Sequence, residues 1–455
     1  MSKLAAETPP DSRGLSKAEL KDPAVISLFS GALGLDFGLE RAGFRVSIAV
    51  ECNRFAAQTI RLNRPHLPLI EKRLEDVSTV EILEAAGLRV GEATVVTGGP
   101  SCQSFSTAGL RRSFEDERGV MFRQFLRVVK EARPRFFVME NVTGVLSAAV
   151  QHRPLRERGP GFPKLKREEE LGSAFALILR ELAATGYYVV FDLVNAADFG
   201  VPQTRKRIVF IGSRDGEPID GLVRTHSVDG RRKWVTLERA LRDVKDDSPE
   251  FSVLSKSKKE VMRHVPAGGN WRDLPERMAK KALGAAYVSW GGRVGFYRRL
   301  AWDEPAPALT TRPDSKATML CHPSRLRPLT VAEYARLQQF PRRWKFSGGT
   351  PQKYIQIGNA VPVGLGEVVG KALLTAMRSS TRVSFRGKVV CLSSDVLRRL
   401  HRRPRTVLNP DRMRRRKGVA AAKKWLGDAK KRSRAGLFKH LVDRAVLLRR
   451  TTKAA

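Results

Sequence analysis

Cysteine and acid are both scarce in this chain. Four cysteines in 455 residues (Cys52, Cys102, Cys321 and Cys391) are scattered, and no two form a Cys-x-x-Cys pair. That excludes a disulfide framework and a paired-cysteine zinc module, no metal is expected, and a reducing compartment fits. Cys321-His322 invites a metal reading, but without a second pair it reads as a loop. No signal peptide and no long uninterrupted apolar run is present, so neither secretion nor membrane insertion is expected. Internal repeats are absent as well. Acidic residues number 46 against 84 lysines and arginines, which leaves a net charge of +38. Residues 381–455 hold 24 of the basic and 4 of the acidic residues, so that stretch carries +20 and the other 380 residues +18. Both parts are basic, and a polyanionic partner, nucleic acid, is the natural reading; the bland alternative is a basic surface kept for solubility. Hydrophobic residues at 42% and charged residues at 29% are ordinary for a globular protein, and the length suffices for two or three domains.

A loose polar leader is expected over 1–22, with Pro9, Pro10 and Gly14. A regular alternation then begins. Ala24–Phe29, Arg45–Glu51, Ala93–Thr97, Arg135–Met139, Tyr187–Val194 and Arg207–Gly212 read as strands. Leu33–Ala42, Val120–Glu131 and Ala174–Thr185 have helical spacing. Strands alternating with helices predict an α/β fold, a parallel, doubly wound sheet whose strand ends carry ligands at their carboxyl edge. Residues 23–213 form its first part, and the irregular stretch 214–326, rich in tryptophan, tyrosine and basic residues, reads as a smaller domain. Residues 327–378 return to helical spacing and are expected to pack back on the first part; a basic extension follows over 379–455.

Five motifs stand in this frame. Phe29-Ser30-Gly31-Ala32-Leu33-Gly34 lies at a strand–helix junction, where glycine lets the backbone approach a nucleotide-like ligand and the helix N-terminus adds donors. Glu51, ending the second strand, is placed to hold ribose hydroxyls, and Asp76 to take an adenine amino group. A tight turn with no ligand, or a dinucleotide site, would read the same, although the spacing is not Gly-x-Gly-x-x-Gly. Gly98-Gly99-Pro100-Ser101-Cys102-Gln103 puts a thiol just past a strand end, a nucleophile's position or that of a buried structural thiol. Glu140-Asn141-Val142 ends the next strand with a candidate proton donor or an ordinary loop carboxylate. Gln203-Thr204-Arg205-Lys206-Arg207 opens a strand, and alternation puts Gln203, Arg205 and Arg207 on one face. Gln356-Ile357-Gly358-Asn359-Ala360-Val361-Pro362 selects no chemistry by itself.

In this order, over residues 24–213 and 326–376, the five together resemble the C5-cytosine DNA methyltransferase family. Phe114–Gly119 looks like its mobile catalytic loop. Arg327-Pro328-Leu329-Thr330, followed by Glu333–Gln338, looks like the element before its last motif. Two positions depart: Ser101 stands where proline is more usual, and Leu33 where a paired glycine is usual, which bears on the geometry of the cofactor turn.

The resemblance implies a Rossmann-like fold, S-adenosylmethionine (SAM) as cofactor, double-stranded DNA as substrate and residues 214–326 as a target-recognition domain. Cys102 would add to carbon 6 of cytosine, making carbon 5 enamine-like. Arg205 and Arg207 would grip the base O2, and Glu140 would bond N3 and the exocyclic amine. Phe29, Ser30, Gly31, Gly34, Glu51, Cys52, Asp76, Val77, Pro100, Asn359 and Ala360 are the implied cofactor contacts. Gln103, Ser106, Arg111, Arg112, Arg118, Gln203, Thr310, Thr311 and Arg312 are the implied DNA contacts. A base inside a duplex cannot reach such a turn, so the cytosine must be flipped out. A monomer acting in a prokaryotic cytoplasm at the nucleoid, with a cognate restriction endonuclease as partner, completes the implied picture. The competing readings are an RNA substrate, disfavoured by the large 214–326 region, a DNA-binding protein that has lost catalysis, and a nicotinamide enzyme, which only the glycine turn favours.

Overall fold

Eight strands in the order β10-β6-β8-β5-β4-β1-β2-β3 organise the chain. The structure is a computed structural model; it describes residues 22–100, 117–151, 153, 154, 157, 162–228, 230, 232–244, 249–287, 295–384 and 387–392. The strands are β1 (Ala24–Leu28), β2 (Arg45–Val50), β3 (Leu69–Ile70), β4 (Val95–Gly98), β5 (Phe136–Val142) and β6 (Tyr188–Asn195), then β7 (Gln203–Thr204), β8 (Lys206–Ser213), β9 (Ala306–Pro307) and β10 (Val389–Cys391). β7 and β9 pair apart from the main sheet. The helices are α1 (Gly34–Ala42), α2 (Arg54–Asn63), α3 (Thr79–Ala86), α4 (Glu117–Ala132), α5 (Ser173–Ala183), α6 (Leu237–Leu241), α7 (Lys256–Arg263), α8 (Glu276–Leu283), α9 (Val331–Leu337), α10 (Thr350–Asn359) and α11 (Val363–Arg378).

The central strands are apolar at nearly every position because both faces of the sheet are covered. Ile26, Leu28, Val96, Phe137 and Met139 pack with Ile82, Phe125, Val129 and Leu179 from α3, α4 and α5. The alternate residues Val25, Val95, Phe136 and Val138 pack on the other face with Leu35, Leu39, Leu365 and Val369 from α1 and α11. Period-two alternation thus divides one apolar run between two layers of helices.

The expected all-parallel sheet needs one correction. β8 runs antiparallel to both β5 and β6. Residues 196–205 between β6 and β8 are too few for a crossover helix, so the chain turns back on itself instead.

Small residues dock the return segment. A Cβ on Gly38 would stand 2.2 Å from the Val363 carbonyl oxygen and 2.6 Å from the Gly366 Cα, and one on Gly366 2.4 Å from the Leu35 oxygen. Helices α1 and α11 therefore touch backbone to backbone, and Gly370 sits equally close to Ala42. Thr350–Arg378 is long and apolar enough to cross a membrane by length and composition. It consists of α10 and α11, separated at Pro362, and 67% of its apolar stretch is buried inside the protein, α11 with α1 and the sheet and α10 with α9.

Residues 214–326 hold α6, α7, α8 and β9 with two small cores of their own. Leu254, Met262, Trp271, Leu283, Tyr297 and Met319 make one. Leu237, Leu300, Leu309 and Leu320 make the other with Tyr334 and Tyr354 of α9 and α10, so this region is seated on the return segment.

Candidate active site

The carboxyl ends of β1, β2, β4 and β5 converge along one edge of the sheet. β1 passes directly into the turn 29–33, in which Phe29 (φ 52°), Gly31 (φ 53°) and Leu33 (φ 62°) all have left-handed backbone. Gly31 suits that region; Leu33 does not, and it is held there by burial among Ala32, Ala49, Ile60 and Val363. The position where the sequence departs from the resembled pattern is thus a strained one, in the backbone region that glycine favours. Ser30 Oγ bonds the Ser27 carbonyl, and Ser27 Oγ bonds Ser30 Oγ at 2.9 Å, which fixes the turn to β1.

Glu51 closes this turn from β2. Its Oε2 accepts from the Gly31 amide and its Oε1 from the Asn53 amide, both at 2.7 Å. Burial raises the Glu51 carboxyl, and these backbone donors pull it back towards the charged form. Each oxygen keeps a second acceptor site, and a Cβ on Gly31 would meet nothing within 4 Å, so open space lies above the turn. An acceptor pair, a bare backbone turn and open space fit a nucleoside with free ribose hydroxyls. Cys52 is exposed next to Glu51. Asp76 is exposed, in the 3₁₀ turn Leu74–Asp76 rather than at a strand end, and Val77 is buried. Arg127, which sequence reasoning passed over, donates to the Leu74 and Val77 carbonyls at 2.9 and 2.8 Å and holds this turn from α4. Nothing in the local sequence signals a contact made across 50 residues.

Glu140 and Arg207 meet where β5 and β8 pair. Arg207 Nε lies 2.6 Å from Glu140 Oε1. The N–H is not aligned on the oxygen, so both buried atoms keep hydrogen-bonding capacity among the described residues. A Cβ on Gly99 would be 3.3 Å from Glu140 Oε2, which puts the carboxylate against the turn that leads through buried Pro100 to Cys102. Cys102, Gln103, Ser106, Arg111 and Arg112 lie outside the described residues, and of Arg118 only the helical backbone is described.

The expectation that Gln203, Arg205 and Arg207 share one face is overturned. The strand breaks at Arg205, because Gln203 and Thr204 pair with β9 in the second sheet and β8 begins at Lys206. Arg205 is buried at 2% exposure and donates to the Leu309 carbonyl at 3.2 Å and the Gly358 carbonyl at 2.9 Å. Burial first, and then neighbouring Arg207, push its guanidinium well below the usual range. Its bonds therefore tie residues 309 and 358 together, and Arg207 alone meets Glu140. Gln203 is also buried and is not placed to touch DNA; its amide accepts from the Leu309 N–H and donates to Gln338 Oε1, both at 3.0 Å. Gln338, another residue not singled out from sequence, donates to the Ile357 and Ala360 carbonyls. Asn359 is exposed and Ala360 buried, next to Gly34, whose Cβ would stand 3.2 Å from that of Ala360. Thr310 and Thr311 are half-buried, a Cβ on Gly358 would be 2.7 Å from the Thr310 oxygen, and exposed Arg312 pairs with Asp314.

Residues 24–375 match the family described as C-5 cytosine-specific DNA methylase. The chain belongs to that family. It is a DNA cytosine-5-methyltransferase, with the Rossmann-like α/β fold of such enzymes. A type II methyltransferase of Staphylococcus aureus, M.Sau96I, is 38% identical over 359 residues, 78% of this chain and 76% of its own. M.Eco47II of Escherichia coli is 37% identical over 357 residues, 77% and 78% of the two chains. A solved structure described as a DNA modification methyltransferase encoded within an E. coli prophage shares the fold, with a TM-score of 0.54 at 24% identity over 78% of this methyltransferase and 99% of that chain.

Proposed function

We propose that this enzyme transfers a methyl group from SAM to carbon 5 of a cytosine flipped out of a specific duplex sequence, through a covalent bond from Cys102 to carbon 6. The observation that carries the reading is the Glu140–Arg207 pair, open to further hydrogen bonds and set against the turn that leads to Cys102. The 29–34 turn and Glu51 would hold SAM, Glu51 accepting from its ribose hydroxyls, and the cofactor would supply an electrophilic methyl group there. The Cys102 thiolate adds to carbon 6, and the electron pair of the 5,6 double bond becomes available at carbon 5. Glu140 bonds N3 and the exocyclic amine as charge grows on the ring, and Arg207 offers N–H donors to O2. Carbon 5 takes the methyl group as the methyl–sulfur bond breaks and S-adenosylhomocysteine is left; carbon 5 then gives its proton to water, the 5,6 double bond re-forms and the Cys102 thiolate leaves. Burial of Glu140 and Arg207 strengthens both contacts by lowering the local dielectric.

The type II names of the relatives support action within a prokaryotic restriction–modification system, with a cognate endonuclease as the enzyme's counterpart. The net charge of +38 supports phosphate contacts that offset base flipping.

Incubation of the protein with labelled SAM and duplex DNA, with tRNA as the alternative substrate, tests the reading. Label is expected in DNA, at cytosines that bisulfite sequencing then locates. A duplex carrying 5-fluorocytosine should hold a covalent complex, since fluorine cannot leave as a cation, and Cys102→Ser should abolish it. Full methylation by Cys102→Ser, or label in tRNA alone, would overturn the proposal.

A further inference from the structure

Arg298 is the one half-buried guanidinium of residues 249–326 that has no acceptor or counter-ion among the described residues. Other arginines of this stretch and its edge are engaged. Arg299 donates to the Pro323 and Val265 carbonyls, at 2.8 and 3.1 Å. Arg312 pairs with Asp314, Arg327 with Glu333 and Arg263 with Glu260. A charge partly withdrawn from water with nothing opposite it is costly, and burial alone lowers the Arg298 guanidinium below its usual range. Such an arrangement makes sense if a partner brings the acceptors.

The backbone is bent to hold it there. Tyr297 has φ 45°, a left-handed conformation that a bulky residue rarely adopts. Its ring is locked in the small core beside α8, and its amide bonds the Lys316 oxygen. The Arg298 carbonyl accepts from the Cys321 amide, so the chain on both sides of the side chain is fixed. Strain of this kind persists where the surroundings over-determine it, which is common at sites that must present a side chain in one pose.

Arg298 is also registered to the active site. Its segment pairs with residues 316–321. Thr310 Oγ bonds the Thr318 carbonyl, and Arg205 ties Leu309 to Gly358. A rigid path therefore runs from Arg298 to the helix end beside the cofactor turn.

We propose that Arg298 is a specificity-determining residue that reads a guanine in the major groove beside the target cytosine, through two parallel bonds to O6 and N7. The guanine edge offers two acceptors in the spacing of the guanidinium fork. A phosphate needs only a nearby charge, and the exposed lysines of α7 and α8 supply that without burial or backbone strain. The inference rests on the enzyme acting on DNA as proposed above.

Methylation of a randomised duplex pool, followed by bisulfite sequencing, tests it with the full-length wild type, Arg298→Lys, Arg298→Gln and Arg298→Ala. SAM affinity serves as the control for folding, and Arg298→Lys and Arg298→Gln, which keep the bulk, carry the test if Arg298→Ala does not fold. The wild type is expected to give a defined motif. The variants should keep all of it except one guanine position, where discrimination falls about ten- to a hundredfold, while the salt dependence of DNA binding stays unchanged. An unchanged motif overturns the inference. So does uniform weakening on all sequences with a salt slope lower by about one, the mark of a phosphate contact, or loss of all methylation by variants that bind SAM normally. If the wild type labels no DNA, the proposed function fails first and this assignment falls with it.

Discussion

The sheet and residues 214–326 are stabilised by different means. In the sheet each strand is tied by backbone ladders to its neighbours, and Glu51, Glu140 and Arg207 stand at or beside strand ends. In 214–326 the described residues form three α-helices of five to eight residues, two short 3₁₀ turns and one two-residue strand, packed on small apolar cores and tied by side chains that reach backbone carbonyls. The contrast separates chemistry from reading. Glu140 and Arg207, proposed to hold the base, sit where the backbone is fixed by a ladder, while the region proposed to read DNA can vary its loops without disturbing one.

Three substitutions would break or sharpen that contrast. The largest effect is expected for Gly38→Ala, whose Cβ meets backbone on three sides and would force α11 off α1. A loss on the order of 3 kcal/mol in urea unfolding, with weaker SAM binding, is expected. Unchanged stability would mean that the two helices are not in backbone contact.

Asp36→Asn comes next. Burial pushes the Asp36 carboxyl, inside the sheet part, up to about 7. Below pH 4 it is protonated in both folded and unfolded chains and has no effect. Between pH 4 and 7 the unfolded chain releases this proton while the folded one keeps it, so stability falls as pH rises and then levels off. The asparagine variant cannot titrate there. Its unfolding free energy should exceed the wild type's by a margin that grows from pH 4 to pH 7, reaching a few kcal/mol, and its melting temperature should rise in step. A constant margin across that range would show that Asp36 is not the titrating group.

The smallest effect is expected for Arg205→Lys, at the junction between the two regions. Lysine presents one nitrogen where the guanidinium presents Nη1 to the Leu309 carbonyl and Nη2 to the Gly358 carbonyl, and about 1–3 kcal/mol should be lost. Affinity for DNA should fall more than affinity for SAM. Equal loss of both would place Arg205 in the cofactor site instead.

β1, β2, β4, β5, β6 and β8, with α1, α4 and α5, were legible because their apolar runs, glycine turns and helical spacing each decide a local structure, whereas β3, α2 and α3 were not named from the sequence. Glu51 and the 29–34 turn were legible for the same reason, since strand ends set their positions. Arg205 and Gln203 were misread because alternation assumes one continuous strand, and a two-residue pairing with β9, about a hundred residues away, interrupts it. The direction of β8 depends on the path of its connection rather than on its own residues. β10 was missed for another reason: Val389-Val390-Cys391 is too short a run to stand out among basic residues, yet it adds a parallel strand at the edge of β6. Arg298 carried no motif, and only the absence of a partner in three dimensions marks it.

The glycine contact between α1 and α11 joins the first and the last of the described helices. During synthesis the ribosome delivers α1 more than three hundred residues before α11 exists. Until then the glycine face of α1 is bare and the ledge beside the cofactor turn has no Ala360. The nascent chain cannot complete the turn proposed to hold the cofactor early, so competence to methylate should arrive abruptly, with the release of residues past 378, rather than grow as the sheet forms.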